Sequence, residues 1–191
     1  MSTVESPLLT TADLLAMPDD GMDRELIRGR LTERPMTRRN RFHTYAESKL
    51  SYLLNNWLVG LAKPCGEVHS GEVGTILRRD PDSTVGIDVA FFSADVMARQ
   101  TNETTLIDGP PLLAVEILSP SDRMEDIHDK VVEYLDTGVP LVWVVDPVFR
   151  TVQVHRPDQQ PESFNVNQIL SGGDILPGLE ISVADIFPKN S

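Results

Sequence analysis

A glutamate stands in the middle of an apolar segment, residues 112–118, whose sequence is Leu-Leu-Ala-Val-Glu-Ile-Leu. Such a run is typical of a strand that is covered on both faces of a sheet. Burying an ionised carboxylate there costs several kcal/mol unless it is paired, hydrogen-bonded or bound to a metal. Glu116 is therefore a candidate catalytic and metal-binding residue. The alternative is a buried ion pair with an Arg or Lys from a helix.

Asp88 interrupts a second apolar segment, residues 85–92. Strand alternation predicts one face made of Val85, Ile87, Val89 and Phe91. Asp88 then lies on the other face, where Gly86 and Ala90 leave room for a ligand. An aspartate near the start of a strand is often a turn residue. Paired with Glu116 on a neighbouring strand, however, it would form a hard-oxygen site suited to Mg²⁺ or Mn²⁺.

Lys130 lies at the edge of the apolar stripe of a helix predicted over residues 122–137. That stripe consists of Ile127, Val131, Tyr134 and Leu135. From the edge of the stripe, the lysine stem can run along the core while the ammonium reaches the end of the preceding strand. The alternative is an ordinary flanking lysine that pairs with Asp126 or Glu133 at helical spacing.

The charge of the chain is unevenly distributed. The 191 residues include 17 Lys and Arg and 29 Asp and Glu, for a formal net charge of −12. This excludes a protein that coats nucleic acid through bulk charge, because that affinity comes from many Lys and Arg contacts with phosphates. Seven arginines nevertheless lie within residues 24–41. Arg38, Arg39 and Arg41 are candidate nucleic-acid contacts, and the alternative is a solvated hairpin that balances acidic neighbours.

Other classes of protein are disfavoured by composition. No apolar run approaches the ~20 residues of a membrane span, and the first residues lack the pattern of a signal peptide. Cys65 is the single cysteine, so neither an internal disulfide nor a thiolate metal cage can form. We expect a cytoplasmic protein with no membrane partner.

The elements that must position these residues are helical and extended in turn. The patterns predict a short helix after Thr10 or Thr11, a hairpin around Gly29, a long helix over about residues 41–61, three strands, the helix 122–137, two strands and a β-rich tail. The segment 112–146 has the form of a βαβ crossover. We expect an α/β fold with a central mixed sheet, in one domain over residues 1–191 whose core spans about 22–157.

Two local features carry further expectations. Ser119 or Ser121 is expected to cap the helix over 122–137. The segment 139–145, Val-Pro-Leu-Val-Trp-Val-Val, lies beside a predicted hairpin and would offer a sheet edge to a second copy of the chain. A homodimer through this edge is therefore a hypothesis.

The order of these residues resembles that of one family. Asp88 is followed by Glu116-Ile117-Leu118-Ser119-Pro120-Ser121, then by Asp129-Lys130, Tyr134, Gly138-Val139 and Trp143-Val144-Val145-Asp146-Pro147. The likeness also includes the hairpin Glu25-Leu26-Ile27-x-Gly29, His43 and the closing Pro177-Gly178-Leu179. The chain resembles the Uma-type restriction endonuclease family, a branch of the PD-(D/E)xK nuclease superfamily, over nearly its whole length.

The resemblance implies a restriction-endonuclease-like fold and metal-dependent hydrolysis of phosphodiester bonds, with DNA as the expected substrate. It places the two motif acids at Asp88 and Glu116, which would bind Mg²⁺ or Mn²⁺ together with the backbone carbonyl of Ile117. Lys130 matches a lysine displaced onto the following helix, because Leu118 occupies the usual lysine position. Ile87 likewise stands where the superfamily name calls for Pro.

The resemblance also implies supporting residues. In related nucleases an acid on the long helix helps hold a second metal, and Glu47 lies one turn from His43. These two residues and Glu25 are candidates for that role, although a Glu–His pair on a helix surface is the alternative. Two other functions stay open: a catalytically inactive nucleic-acid-binding or assembly module, and a hydrolase of a smaller phosphodiester.

Overall fold

The computed structural model describes residues 7–36, 38–63, 65–120 and 122–189. The helices are α1 Thr11–Leu15, α2 Arg41–Val59, α3 Ala94–Met97, α4 Met124–Asp136 and α5 Val183–Ile186. The strands are β1 Met22–Ile27, β2 Arg30–Pro35, β3 Gly66–Arg78, β4 Ser83–Ser93, β5 Ile107–Asp108, β6 Leu113–Ile117, β7 Val142–Asp146, β8 Thr151–His155, β9 Glu162–Asn165, β10 Ile169–Ser171 and β11 Glu180–Ser182. Within the described ranges, no helix is both long and apolar enough to cross a membrane.

A mixed sheet of nine strands lies at the centre of the fold. Its main path is β2-β1-β4-β6-β7-β8-β9, while β3 pairs with β4 and β5 pairs with β3. Strands β6 and β7 are parallel and are joined through α4, which confirms the predicted βαβ unit. Helices α2 and α4 pack in two separate apolar clusters, one containing Leu113 and Val115 of β6 and the other containing Ala114. The two helices therefore cover opposite faces of the sheet.

The sheet divides at one edge of β4. Strand β3 pairs along nearly the whole of β4, so β1 and β6 must share the other edge. Leu26 of β1 pairs with Thr84, whereas β6 pairs farther along, ending at Val115 with Val89. Residues 85–88 of β4 lie between these two pairings. We call this gap between β1 and β6 the fork.

The predicted alternation along β4 is wrong across the fork. Val89 and Phe91 pack in the cluster of α2, whereas Val85 and Ile87 pack in the cluster of α4. The pairing of β3 with β4 shifts register between Ser70 and Val73, opposite this stretch. Such an irregularity increases the local twist of a strand pair, and the odd-numbered residues of β4 change faces opposite it, between Ile87 and Val89.

The predicted cap of α4 is also wrong. The N-cap residue is Arg123, whose side chain makes no capping hydrogen bond. Ser119 instead donates hydrogen bonds through its backbone N–H and its hydroxyl to the carboxylate of Asp122. This closes a turn before the helix starts. Ser121, the other predicted cap, lies outside the described residues.

The predicted dimer edge is not an edge. Strand β7, which contains most of the segment 139–145, pairs with β6 on one side and β8 on the other. Its backbone groups are therefore used within the chain, and the ends of the main path are β2 and β9. The hypothesis that β7 recruits a second copy is wrong.

A buried carboxylate joins α4 to the strands beneath it. Glu133 Oε1 accepts a hydrogen bond of 2.6 Å from the Ser83 hydroxyl and lies 2.9 Å from Arg78 Nε, while Oε2 accepts one of 2.7 Å from Arg28 Nε. The Glu133 side chain is 1% exposed. Because Glu133 follows Lys130 by less than one helical turn, these contacts set how Lys130 is turned toward the sheet.

We predict that Glu133→Gln lowers the free energy of unfolding by about 2–3 kcal/mol, because two guanidinium groups lose a buried anionic partner. Urea denaturation measures the change. Asp136→Asn is the matched control: Asp136 pairs with the same Arg28, but its side chain is 53% exposed, and exposed pairs contribute less than about 1 kcal/mol. Equal losses in the two variants would contradict this account of α4.

Candidate active site

Lys130 lies in the fork with its ammonium group fully hydrogen-bonded. Its Nζ donates to Gly86 O at 2.8 Å, to Glu25 Oε1 at 3.0 Å and to Glu116 Oε2 at 3.1 Å. An ammonium group has three N–H donors, and each has an acceptor here. The side chain is 3% exposed. The alternative pairing of Lys130 with Asp126 or Glu133 is wrong, because these three acceptors lie on the strands.

Glu116 is the partner of Lys130 inside the sheet. One carboxylate oxygen accepts the Lys130 hydrogen bond, and the other accepts a hydrogen bond from the Tyr134 hydroxyl. Lys130 and Tyr134 are four residues apart on α4 and therefore lie on one helix face. Glu116 therefore forms the predicted buried ion pair with a cation from a helix. That cation is Lys130, so the same contact brings together two of the predicted catalytic residues.

Glu25 takes the place of a missing strand at the fork. Its Oε1 accepts a hydrogen bond of 2.9 Å from the backbone N–H of Gly86, in addition to the one from Lys130. Arg34 lies 3.6 Å from the other oxygen, Oε2. The two backbone groups of Gly86 that a neighbouring strand would pair are therefore satisfied by Glu25 and Lys130. The structure accordingly places Glu25 beside Lys130 as a positioning residue.

Asp88 lies where β4 and β6 separate. Asp88 and Glu116 are the next residues after the last strand pair, Val89 with Val115. Asp88 Oδ2 accepts a hydrogen bond of 2.7 Å from Ile117 N–H, and Oδ1 lies 3.2 Å from His43 Nε2. Burial alone would raise the pKa of Asp88, but His43 and the Ile117 N–H favour the carboxylate and hold that pKa below its usual range.

The two strand acids border a single narrow cavity. Asp88, Glu116, Ile117 and Lys130 are among its lining residues, and its volume is about 10 Å³, which corresponds to roughly one water-sized site. In an extended strand the N–H and C=O of one residue point to the same edge, so the Ile117 carbonyl also faces Asp88. Carboxylate and carbonyl oxygens are the donors that Mg²⁺ prefers, and Mg²⁺ is commonly held by one or two carboxylates plus waters and phosphates. The donor set therefore fits such an ion.

The candidates for a second metal site are divided between two places. His43 is fully buried on α2, with Nδ1 3.8 Å from Glu47 Oε2 and Nε2 beside Asp88. Burial and the charge of Asp88 raise the pKa of Glu47. Glu25 instead contacts Lys130. Across the part of the chain that the structure describes, no three His, Cys, Asp or Glu side chains are arranged to hold a metal. A second ion at these residues stays a prediction.

The protonation of the pair in the fork is strongly shifted. Burial raises the pKa of Glu116 to about 7, with the charges of Asp88 and Glu25 adding to the effect and Lys130 opposing it. Burial disfavours the charged form of Lys130, but Glu116 and Glu25 outweigh this and raise its pKa well above the usual range. Lys130 is therefore an ammonium group at neutral pH, which makes it an electrostatic group rather than a proton acceptor.

The arginine-rich segment is partly paired within the chain. Arg24, Arg28 and Arg34 form ion pairs with carboxylates of neighbouring residues. Arg39 pairs with Glu72 and lies 4.0 Å from Asp88. Arg30, Arg38 and Arg41 are exposed. Ion pairs within the chain therefore balance the charge of the hairpin arginines Arg24, Arg28 and Arg34. Arg38, Arg39 and Arg41 lie at the N-terminal end of α2.

Two residues at the site were not recognised from the sequence as chemical groups. The helical pattern places Tyr134 in the apolar stripe, and the family resemblance includes it without a role, yet its hydroxyl contacts Glu116. Its spacing of one helical turn from Lys130 is the signal that was available. Glu72 lines the same cavity and pairs with Arg39. It lies in the irregular part of β3, where Gly71 and Glu72 have φ of 95° and 55°. The alternation of apolar and polar residues along a strand does not predict such a distortion.

Comparison with known proteins agrees with this description. A family model described as Uma2, putative restriction endonuclease, matches residues 11–184. The crystal structure of a putative nuclease belonging to DUF820 from Anabaena variabilis ATCC 29413 is similar to this chain, with a TM-score of 0.77 and 22% identity over 94% of this chain and 97% of that one. No curated protein matches the chain. The expected restriction-endonuclease-like α/β fold is confirmed.

We predict a pH signature for the buried Glu116 carboxyl in metal-free solution. Its pKa rises from an ordinary value of 4.5 in the unfolded chain to about 7 in the folded one, so the folded protein binds this proton more tightly. The resulting stabilisation is present below about pH 4.5 and is lost as the pH rises through about 7. Between pH 5 and pH 8, the unfolding free energy of the wild type should fall by about 2 kcal/mol relative to Glu116→Gln.

Urea denaturation across this pH range, in the presence of EDTA, provides the measurement. Glu125→Gln is the control, because the Glu125 side chain is 82% exposed on the first turn of α4 and should leave the pH profile of the wild type unchanged. Parallel pH profiles for the wild type and Glu116→Gln would show that Glu116 is ionised at its ordinary pKa.

Proposed function

The chain belongs to the Uma2 family of putative restriction endonucleases, and from this premise we propose that it is a metal-dependent endonuclease that hydrolyses the phosphodiester bonds of DNA. The observation that carries the proposal is the cavity at the fork, which two carboxylates and one ammonium group share. Two carboxylates beside one ammonium group suit a phosphate, because the carboxylates can hold a divalent cation against it while the lysine offsets its negative charge.

Asp88, Glu116 and the Ile117 carbonyl would hold the ion, which we propose to be Mg²⁺ or Mn²⁺. When bound, such an ion offsets the charge of the phosphate and lowers the pKa of water next to it. The hydrogen bond from Ile117 N–H to Asp88 Oδ2 keeps one Asp88 oxygen fixed. The other oxygen, Oδ1, lies 3.2 Å from His43 Nε2 and would be the Asp88 atom that contacts the ion.

Lys130 acts on the phosphate as a fixed positive charge. Glu25 and Gly86 hold its ammonium group from the side of β1 and β4, and Glu116 holds it from the side of β6. Since its three N–H groups are already hydrogen-bonded, the ammonium would act through its charge, which can stabilise the negative charge that develops on the phosphorus oxygens. Because its pKa is raised, this role is retained over the whole neutral pH range.

An inactive binding module with the same fold is the second candidate, and the cost of the site argues against it. Glu116, Lys130 and Asp88 are each at most 5% exposed. Replacing a buried ion pair by apolar side chains is often neutral or stabilising, so a module without chemistry has no need of this one.

We also propose a cytoplasmic location for the protein. Cys65, its single cysteine, is exposed in the structure, and an exposed thiol stays reduced in the cytoplasm.

We predict that Mg²⁺ or Mn²⁺ supports nicking and linearisation of supercoiled plasmid, and that EDTA abolishes both. Asp88→Asn and Glu116→Gln should each lower the cleavage rate at least ~100-fold, because each removes a charged ligand of the ion. Lys130→Met should lower the rate by a similar factor, since a preorganised charge at a phosphate contributes on the order of 10²–10³.

Two controls separate the site from a contaminant. Glu125→Gln, an exposed acid on the same helix, should cleave like the wild type. Circular dichroism should show that each inactive variant keeps its fold. If Glu116→Gln cleaves at the wild-type rate, the activity belongs to another site, and if the wild type binds DNA without any cleavage, the inactive module is correct.

We predict that Arg38, Arg39 and Arg41 bind phosphates of the DNA. Reversing all three to Glu should weaken DNA binding and reduce the slope of log K against log salt by about one for each phosphate that is no longer neutralised. Arg79→Glu is the control, because Arg79 is 55% exposed and pairs with Asp108 in another part of the chain. Fluorescence anisotropy at several salt concentrations measures both quantities. An unchanged slope in the triple variant would rule out these arginines as phosphate ligands.

A further inference from the structure

Helix α2 exposes aromatic side chains on the side away from the core. Phe42, Tyr45 and Tyr52 are 41%, 37% and 61% exposed, and two of the three tyrosines of the chain are among them. At 100° per residue, these rings fall within an arc of about 100°. The opposite side of the helix carries the buried Leu50 and Leu54. The exposed rings are not among the residues of the core cluster that α2 covers.

Two cations lie on the same face, each beside a ring. The Arg41 guanidinium carbon is 4.5 Å from the centroid of the Phe42 ring, and Lys49 Nζ is 5.8 Å from the centroid of Tyr52. Both positions fall within the arc of the aromatic residues. We call the surface formed by Arg41, Phe42, Tyr45, Lys49 and Tyr52 the aromatic face.

The aromatic face is positive in a chain that is otherwise strongly acidic. Glu47 is the single acid among the residues of α2, although the whole chain has 29 acids. Glu47 also points the other way, toward His43. Interleaved rings and cations are a pattern by which proteins bind unpaired nucleotides, whose bases stack on rings while their phosphates contact Lys and Arg.

The N-terminal end of α2 borders the fork. The residue before the helix cap, Arg39, lies 4.0 Å from Asp88, and His43 lies 3.2 Å from it. Arg41 and Phe42 belong to the same first turn, but at 100° per residue the aromatic face lies on the side of the helix away from His43. A strand that leaves the cavity at Asp88 would therefore reach the aromatic face by passing the N-terminal end of α2.

We propose that the aromatic face binds a single-stranded segment of the nucleic acid that is cut at the fork. The inference rests on the proposed function, and it adds that unpaired bases are part of the substrate. A duplex keeps its bases stacked inside and offers no ring surface to Tyr45 or Tyr52. A second copy of the chain is a poorer occupant, because a two-fold interface through this face would bring two cations from each copy together.

The length of the aromatic face sets the probe. Phe42 and Tyr52 are ten residues apart, or about 15 Å along the helix, which is the length of about five stacked nucleotides. A fluorescein-labelled oligothymidylate of about 12 nucleotides therefore covers the face. Fluorescence anisotropy with the full chain in EDTA measures binding without cleavage, and a duplex of equal length is the competitor.

The double variant Tyr45→Ala and Tyr52→Ala should bind the oligothymidylate at least roughly 5-fold and up to about 100-fold more weakly, because each stacking ring contributes measurably to affinity. Tyr52→Phe keeps the ring and should bind like the wild type. Phe149→Ala is the matched control, since Phe149 is 78% exposed in the turn between β7 and β8 and should also bind like the wild type. Ala is a strong helix former, so α2 should keep its structure in these variants.

Equal affinity of the double variant and the wild type for oligothymidylate would overturn the inference, as would preference of the wild type for the duplex. Analytical ultracentrifugation tests whether a second copy of the chain covers this face instead. If the wild type is a dimer, Tyr52→Ala makes it a monomer and oligothymidylate binding is unchanged, the face is an interface between copies and the inference is wrong. The proposed function fails separately, through the absence of cleavage when Mg²⁺ or Mn²⁺ is supplied. If the double variant loses oligothymidylate binding in EDTA while the wild type shows no cleavage with Mg²⁺ or Mn²⁺, the aromatic face is retained and the nuclease is rejected.

Discussion

A carboxylate enclosed in a β-sheet must be neutralised, and the arrangement around Glu116 follows from this constraint. Lys130 supplies the positive charge and Tyr134 supplies a hydrogen bond to the other oxygen. Both come from one face of α4, so the helix has to dock at one rotation and one height above β6. The contacts of Glu133 with Ser83, Arg28 and Arg78 hold it there. From this position the Lys130 side chain reaches Glu25 and the Gly86 carbonyl at the fork.

The opening of the sheet places this structural pair beside Asp88 at one small cavity. Where β1 and β6 separate along β4, the backbone of Gly86 loses its strand partners and Glu25 and Lys130 replace them. Asp88, at the same gap, binds Ile117 N–H in place of a backbone carbonyl. A continuous sheet would have enclosed these groups in strand pairing. The fork leaves two carboxylates and one ammonium group around a cavity, which explains why so many charged groups are buried in one place.

The sequence allowed much of this site to be predicted, for reasons that are specific to each residue. Glu116 and Asp88 were recognisable because a charge inside an apolar strand is costly and therefore conspicuous. The position of Lys130 at the edge of a helical stripe also suits an ordinary flanking lysine, and the two acids together with the family resemblance favoured the functional interpretation. The faces of β4 were predicted wrongly, because the irregularity at Gly71 and Glu72 lies in another strand and changes the twist from outside. The pairing of Glu25 with Lys130 joins residues 105 positions apart. A contact over this distance cannot be predicted from the pattern of residues around either position. The central place of β7 in the sheet likewise depends on pairings of β6 and β8 that its own residues do not encode.

The acidic charge of the whole chain also has a different meaning once its distribution is known. Some carboxylates are paired with arginines of the hairpin, and others surround the cavity at the fork. The exposed cations and rings of α2 lie on the side of that helix away from His43 and the cavity. We propose that Asp88 and Glu116 together hold a divalent cation at this cavity. Electron paramagnetic resonance of the full chain with Mn²⁺, recorded with and without DNA, measures this binding. One bound Mn²⁺ per chain is expected, and it should be lost in Asp88→Asn and retained in Glu125→Gln. Bound Mn²⁺ that survives Asp88→Asn, or no bound Mn²⁺ in the wild type with DNA present, would contradict it.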